Sequence, residues 1–200
     1  YIRIYRRLHP RILAERRVSR TDIFNAIFGE NKAAKLIAHK AYNQAYRKYF
    51  GQVKPFQPGA YEYLSALKAL GIKLAVCTNR NREFLDRELQ IVDEGRWLHL
   101  FDATVCADDV TEYKPDPEVI LKALEKLSIQ TDEHAWYIGD SYVDMLTAHH
   151  AGVAGVFYNG ACWEPDRVSG WFTKRDAPTA VLDSFEDLMD LLALLEREHS

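Results

Sequence analysis

Cysteine is scarce: Cys77, Cys106 and Cys162 are the only three in 200 residues. They are odd in number, far apart and form no CxxC pair, which argues against a disulfide framework and against a zinc site. A reducing cytoplasm is therefore the expected compartment. Long apolar runs are missing too, since none approaches the ~20 residues that span a bilayer. Residues 1–7 alternate aromatic, aliphatic and Arg with no apolar block behind them, so no signal peptide is predicted. Internal repeats and low-complexity tracts are absent. The last shortage is local and concerns acids. Up to Pro55 only Glu15, Asp22 and Glu30 stand against thirteen Lys and Arg, whereas beyond it thirteen basic residues face twenty-six acidic ones. That division predicts two units with different jobs. The basic unit reads either as solvated helix faces or as a lid drawing anionic substrates toward an acidic metal site. A nucleic-acid surface ranks below both, because the basic residues are scattered over several helices without a recognition motif.

What is present is an apolar fraction of 48%, enough for a sizeable core. Residues 1–50 carry apolar side chains at helical spacing. Thr21 is expected to cap a short helix stopped by Gly29, and Asn31 to cap the next. Gly51, Pro55 and Pro58 mark a linker. The pattern then changes to alternating helices and strands. A helix with Leu64, Leu67 and Leu70 on one face ends at Gly71, and a buried strand follows at 74–77. Further elements are a helix at 84–92, a strand at 101–106, and a helix capped by Asp116 with Pro117 at its first position. That helix runs through Ile120, Leu121, Leu124 and Leu127. A strand at 135–138, a helix at 142–150 ending at Gly152, a strand at 153–158 and a helix at 185–195 complete the series. Continuous apolar strands between helices predict an α/β fold, a parallel sheet covered on both faces.

Open parallel sheets place their sites at the carboxyl ends of the strands. Three such places carry suggestive residues. Thr78-Asn79 follows the strand at 74–77, where a hydroxyl and free backbone amides can hold a phosphate; the pair also serves as an ordinary strand-to-helix cap. Lys114-Pro115-Asp116-Pro117 leaves a lysine on a stiff loop, able to neutralise a phosphoryl group and a neighbouring carboxylate, although many Lys-Pro pairs are merely turns. The strongest signal is Gly139-Asp140-Ser141 with Asp144. Asp140 sits where a buried strand meets its helix, and Asp144 lies about one helical turn on, so both carboxylates can face one point. Two hard oxygen ligands there suit Mg²⁺; the plainer alternative is Asp140 as a helix N-cap with Asp144 solvated.

In this order and on this scaffold, these motifs resemble the haloacid dehalogenase-like hydrolases, over about 58–195 and including Pro58-Gly59 ahead of the first core helix. The resemblance is nearest to the phosphoglycolate-phosphatase-like branch, whose helical cap fits the basic segment. It implies a Rossmann-like three-layer α/β/α core at 56–200 with a small all-helical cap at 1–55. It also implies that Asp140 and Asp144 serve Mg²⁺, Asp140 directly and Asp144 through water or from behind. Thr78 and the Asn79 amide would bind the transferring phosphoryl oxygens, and Lys114 would offset their charge. The family's first motif, Asp-x-Asp-Gly-Thr, supplies the nucleophile and ends a central strand between those at Thr78 and Asp140. No such motif occurs here. The expectation is a piece of a longer enzyme, with no phosphatase activity of its own.

The intact enzyme is expected to hydrolyse a small phosphate monoester, phosphoglycolate-like or a sugar phosphate, through an aspartyl-phosphate. It would be a monomer or homodimer, with neither nucleic acid nor membrane as partner. A phosphomutase shares the core motifs, and a noncatalytic module binding phosphate and Mg²⁺ is the alternative from another class. A dehalogenase fits less well, because its chemistry needs no metal. His149 and His150 read as dipole-favoured residues of a last helical turn, and Cys77 as a buried strand residue. Trp163 and Trp171 either cover the mouth of the site or simply pack.

Overall fold

The computed structural model describes residues 20–49, 52, 59–132, 134–160, 162–174, 176–188 and 190. The chain divides into two compact units, Tyr1–Gln52 and Val53–Ser200. The described part of the first is helical: α1 (Arg20–Phe28), α2 (Lys32–Tyr46) and a 3₁₀ turn at Arg47–Tyr49. Gly29 ends α1 in the left-handed region at φ 54°, and Asn31 caps α2 by accepting the Ala34 amide at 3.0 Å. Thr21 was expected as a cap but lies inside α1. Arg20, a good helix former, carries the helix past it.

The second unit alternates helix and strand. Its helices are α3 (Ala60–Ala69), α4 (Arg82–Ile91), α5 (Glu118–Leu127), α6 (Tyr142–Ala151) and the short α7 (Pro165–Ser169). Its strands are β1 (Ala75–Cys77), β2 (Ala103–Val105), β3 (Trp136–Gly139), β4 (Ala154–Tyr158) and β5 (Ala180–Leu182). All pairings are parallel: β1 with β2, β3 with β4 and β4 with β5. Among the described residues no ladder joins β1 to β3, the two strands between which the sequence reading placed an absent one.

The strand pleat sends successive side chains to opposite faces. Tyr137 joins a core made mainly by α5 and α6, including Val119, Ile120, Leu124 and Ala148. Its neighbour Trp136 joins another with Leu64 and Leu67 of α3, Val156 and Leu182. Helices thus cover both faces, the three-layer α/β/α arrangement that the family resemblance implies. Met145, Phe157 and Val168 form a third cluster, against which Trp163 and Trp171 pack. Those two indoles meet edge to face at 5.6 Å. No helix among the described residues is long and apolar enough to cross a membrane.

Some expectations fail in detail. Leu70, read on one face with Leu64 and Leu67, is 66% exposed, and Leu121, named with Ile120, Leu124 and Leu127 along its helix, is 41% exposed. Leu70 lies past the end of α3, in its C-terminal turn. Leu121 is rotated by about 100° from Ile120, and one residue is enough to leave the buried stripe. Pro117 precedes α5 rather than opening it, while Asp116 still accepts the Glu118 amide at 2.9 Å. The strand β5 and the helix α7 were missed, both being too short to show a period. The helix expected at 185–195 falls largely outside the described residues.

α6 ends at Gly152, whose φ of 72° is left-handed, and a Cβ there would meet only Thr131 Cγ2, at an ordinary 3.7 Å. Gly152→Ala therefore tests backbone strain without a clash. The expected loss is about 1–2 kcal/mol, read from the urea-unfolding midpoint; an unmoved midpoint would refute the left-handed cap.

Candidate active site

The end of β1, the loop ahead of α5 and the first turn of α6 bring Asn79, Lys114 and Asp144 into hydrogen-bonded contact, with Thr78 next to Asn79 and Asp140 at the end of β3. Thr78 follows β1, with its amide donating to Val105 O at 2.9 Å in continuation of the ladder. Its hydroxyl accepts the Arg80 amide at 3.1 Å, closing a local turn ahead of α4, whose N-cap is Asn81 and not Thr78. Asn79 turns toward the lysine loop and accepts the Lys114 amide on Oδ1 at 3.1 Å. That bond ties the loop between β2 and α5 to the end of β1.

The lysine side chain is anchored as firmly as its backbone. Lys114 Nζ donates to Asp144 Oδ1 at 2.6 Å and to the Tyr137 hydroxyl at 3.1 Å. The ion pair is nearly enclosed, with 15% and 8% of the two side chains exposed. Buried pairs need further hydrogen bonds to offset their desolvation, and Asp144 has them. Tyr137 donates to Oδ1 at 3.2 Å, and Oδ2 accepts both the Ser141 amide, at 3.1 Å, and the Ser141 hydroxyl. A carboxylate offers about four acceptor positions, and all four are used. Ser141, not Asp140, is the N-cap of α6, and with Asp144 it forms a reciprocal capping box.

Asp140 differs. It is exposed, and no hydrogen bond joins its carboxylate to another side chain among the described residues. Crowding by protein atoms pushes its pKa above the ordinary carboxylate value, and the Asp144 charge pushes the same way. Its own amide and Lys114 pull it down. Burial, then the Asp144 charge, likewise raises the Tyr137 phenol. Among the described residues no three His, Cys, Asp or Glu side chains form a ready-made cage for a metal. What this edge offers is one open carboxylate beside a saturated one. That suits Mg²⁺, which keeps several waters and takes one or two carboxylates plus substrate phosphate.

The remaining candidates fall into place around this group. Burial pushes the Cys77 thiol up to about 12, and its Sγ faces Val119 O at 3.5 Å, so it stays protonated and packed. His150 Nδ1 lies 2.9 Å from Pro115 O, bracing the lysine loop from the last turn of α6. Glu118 braces the same loop by accepting the Thr111 and Glu112 amides at 2.8 and 2.9 Å. Gly139 makes the site possible, since a Cβ there would stand 2.3 Å from Asp144 Cβ.

The core on which these residues lie is parallel α/β, and the profile of the haloacid dehalogenase-like hydrolases matches residues 12–157. The chain belongs to that family. A pyrophosphatase, PpaX, of Halalkalibacterium halodurans is 30% identical over 179 residues, covering 88% of this chain and 77% of the relative. Phosphoglycolate phosphatase 1 of Pseudomonas aeruginosa is 30% identical over 134 residues, 66% of this chain and 45% of its own length. A relative from Caldanaerobacter subterraneus is 37% identical over 117 residues, and the match spans about half of it, 51%. Among solved structures, a haloacid dehalogenase-superfamily hydrolase of Geobacter sulfurreducens superposes with a TM-score of 0.62 at 27% identity. It covers 91% of this chain and 76% of the other.

Two contributors to this dehalogenase-like site went unassigned in the sequence. Ser141 had a signal, the Ser-x-x-Asp capping pattern. Tyr137 had none, because a tyrosine within an apolar strand reads as core.

Two outcomes are expected here. Gly139→Ala forces Asp144 aside and costs about 1–3 kcal/mol by overpacking, measured by chemical denaturation; an unchanged midpoint would mean that the close approach is not maintained. The Glu118 carboxyl is held down to about 2, first by the Lys122 ammonium and then by the Glu112 amide. A depressed carboxyl supports its loop above its ordinary value of 4.5 and loses that support as pH falls toward 2. The Thr111 and Glu112 amide NMR shifts should therefore inflect near 2. Inflection near 4.5, or an inflection unchanged in Glu118→Gln, would refute the brace.

Proposed function

We propose that the protein serves Mg²⁺-dependent phosphoryl transfer from a small phosphorylated substrate to water, at the edge formed by Thr78, Asn79, Lys114 and Asp140. The observation that supports this best is the Lys114 ammonium fixed 2.6 Å from Asp144, at the same edge as the Thr78 turn and the open Asp140 carboxylate. In phosphoryl transfer most of the catalysis is positioning and electrostatic stabilisation, and these residues can supply both.

In this reading Asp140 holds the metal. Asp144, with its oxygens engaged, holds Lys114 and contributes negative charge from behind. Mg²⁺, when bound, supplies charge neutralisation on the phosphoryl oxygens. Lys114 places a positive charge against those oxygens, and Thr78 with the Asn79 amide orients them. A substrate of the phosphoglycolate or sugar-phosphate type fits the family, and the pyrophosphatase relative adds pyrophosphate to the candidates. Among the described residues at this edge no side chain is assigned as nucleophile, because Asp144 is saturated, Asp140 is reserved for metal and Cys77 stays a thiol. The residues alone are thus expected to bind without turnover. A mutase would use the same edge, but the relative that this chain covers best among those described is a pyrophosphatase, which favours water as the acceptor.

Titration calorimetry with inorganic phosphate, with and without Mg²⁺, tests the reading. Phosphate should bind more tightly with the metal, and Lys114→Met should weaken it about 10-fold or more, the loss of a charged hydrogen bond. Phosphate release from phosphoglycolate, a sugar phosphate and pyrophosphate should stay at the buffer level. Phosphate binding indifferent to both Mg²⁺ and Lys114 would overturn the assignment, and robust turnover would reveal a nucleophile it does not contain.

A further inference from the structure

The Tyr137 hydroxyl sits at the junction of three groups. It receives a hydrogen bond from Lys114 Nζ at 3.1 Å. Its own single proton is shared between Asp144 Oδ1 at 3.2 Å and the Cys77 carbonyl at 3.4 Å. Bond direction is forced by the inventory: an ammonium can only donate and a carboxylate can only accept. The phenol therefore accepts a hydrogen bond from Lys114 and donates its own, bridging the end of β1 to the start of α6. Nothing in a core position asks for this, since a phenylalanine would fill the same space with no polar atom to satisfy.

We propose that Tyr137 is the positioning residue of the site, fixing the Lys114 ammonium so that one of its three N–H groups remains for an anion. Asp144 alone would leave the ammonium free to swing about a single contact. A second anchor, set in a strand and packed among α5 and α6 residues, removes that freedom before substrate arrives. Removing the hydroxyl takes an acceptor from Lys114 and a donor from Asp144, and anion affinity is affected through the loosened Lys114. Misplacement by about 1 Å at such a site costs up to ~100-fold in rate, so a detectable loss of anion affinity is the expected counterpart. The consequence for phosphate rests on the reading of Lys114 given above; the anchoring itself does not.

Nuclear magnetic resonance on protein with ¹⁵N-labelled lysine separates the two. The Lys114 ammonium signal, assigned by its loss in Lys114→Met, should exchange slowly and lie apart from those of exposed lysines. In Tyr137→Phe it should move toward them or broaden away. Inorganic phosphate with Mg²⁺ should bind Tyr137→Phe about 5- to 10-fold more weakly, and adding Tyr137→Phe to Lys114→Met should cost nothing further. A Lys114 signal unmoved in Tyr137→Phe overturns the proposal whatever phosphate does. A moved signal with phosphate affinity indifferent to Lys114→Met keeps the anchor and discards the phosphate reading. If Tyr137→Phe fails to fold by circular dichroism, the ¹³Cζ shift of labelled Tyr137 decides. It should change between wild type and Lys114→Met, and an unchanged shift overturns the proposal.

Discussion

The saturated carboxylate of Asp144 holds the site together. Its four acceptor positions take Lys114, Tyr137 and both donors of Ser141. Each partner belongs to a different piece of the fold: the loop before α5, the strand β3 and the first turn of α6. A nearly buried charge left short of partners is heavily penalised, so these three pieces are obliged to meet. The glycine at 139 is the steric condition for that meeting, because any side chain there would occupy the place of Asp144.

From this constraint the division of labour between the two aspartates follows. Both stand at the head of α6, and sequence spacing alone treats them alike. The structure makes Asp144 an internal anchor and leaves Asp140 open, so one carboxylate organises protein and the other is available to a ligand. The lysine between them is not a mobile surface charge. Its backbone is tied to Asn79, its side chain to two partners, and its loop is braced by Glu118 and His150. In the proposed reaction, charge that is already oriented need not reorganise when a phosphoryl group arrives, which is where preorganised electrostatics contributes most.

The core supports the same geometry from below. Parallel strands with helices packed on both faces offer their carboxyl ends as the edge on which polar residues collect. Tyr137 and Trp136, adjacent in sequence, enter cores on opposite faces. One contributes its hydroxyl to the site and the other only its bulk. That difference arises from the pleat, not from composition.

The sequence by itself determined the class of fold and singled out the candidate site residues. Apolar strands alternating with capped helices left a parallel α/β core as the arrangement that buries them. Thr78, Asn79, Lys114, Asp140 and Asp144 stood out because strand ends and helix starts are written in local residue types. Gly152 and Asn31 were legible for the same reason, being local backbone signals. What the sequence could not decide were the partners of each group. Which groups meet Asp144 and Tyr137, and how far Leu70 and Leu121 are exposed, depend on side chains distant in sequence. Lys114 and Asp144 are 30 residues apart, and Tyr137 lies 60 from Cys77. Such pairings are fixed by the packing of elements against one another, which carries no periodic trace along the chain.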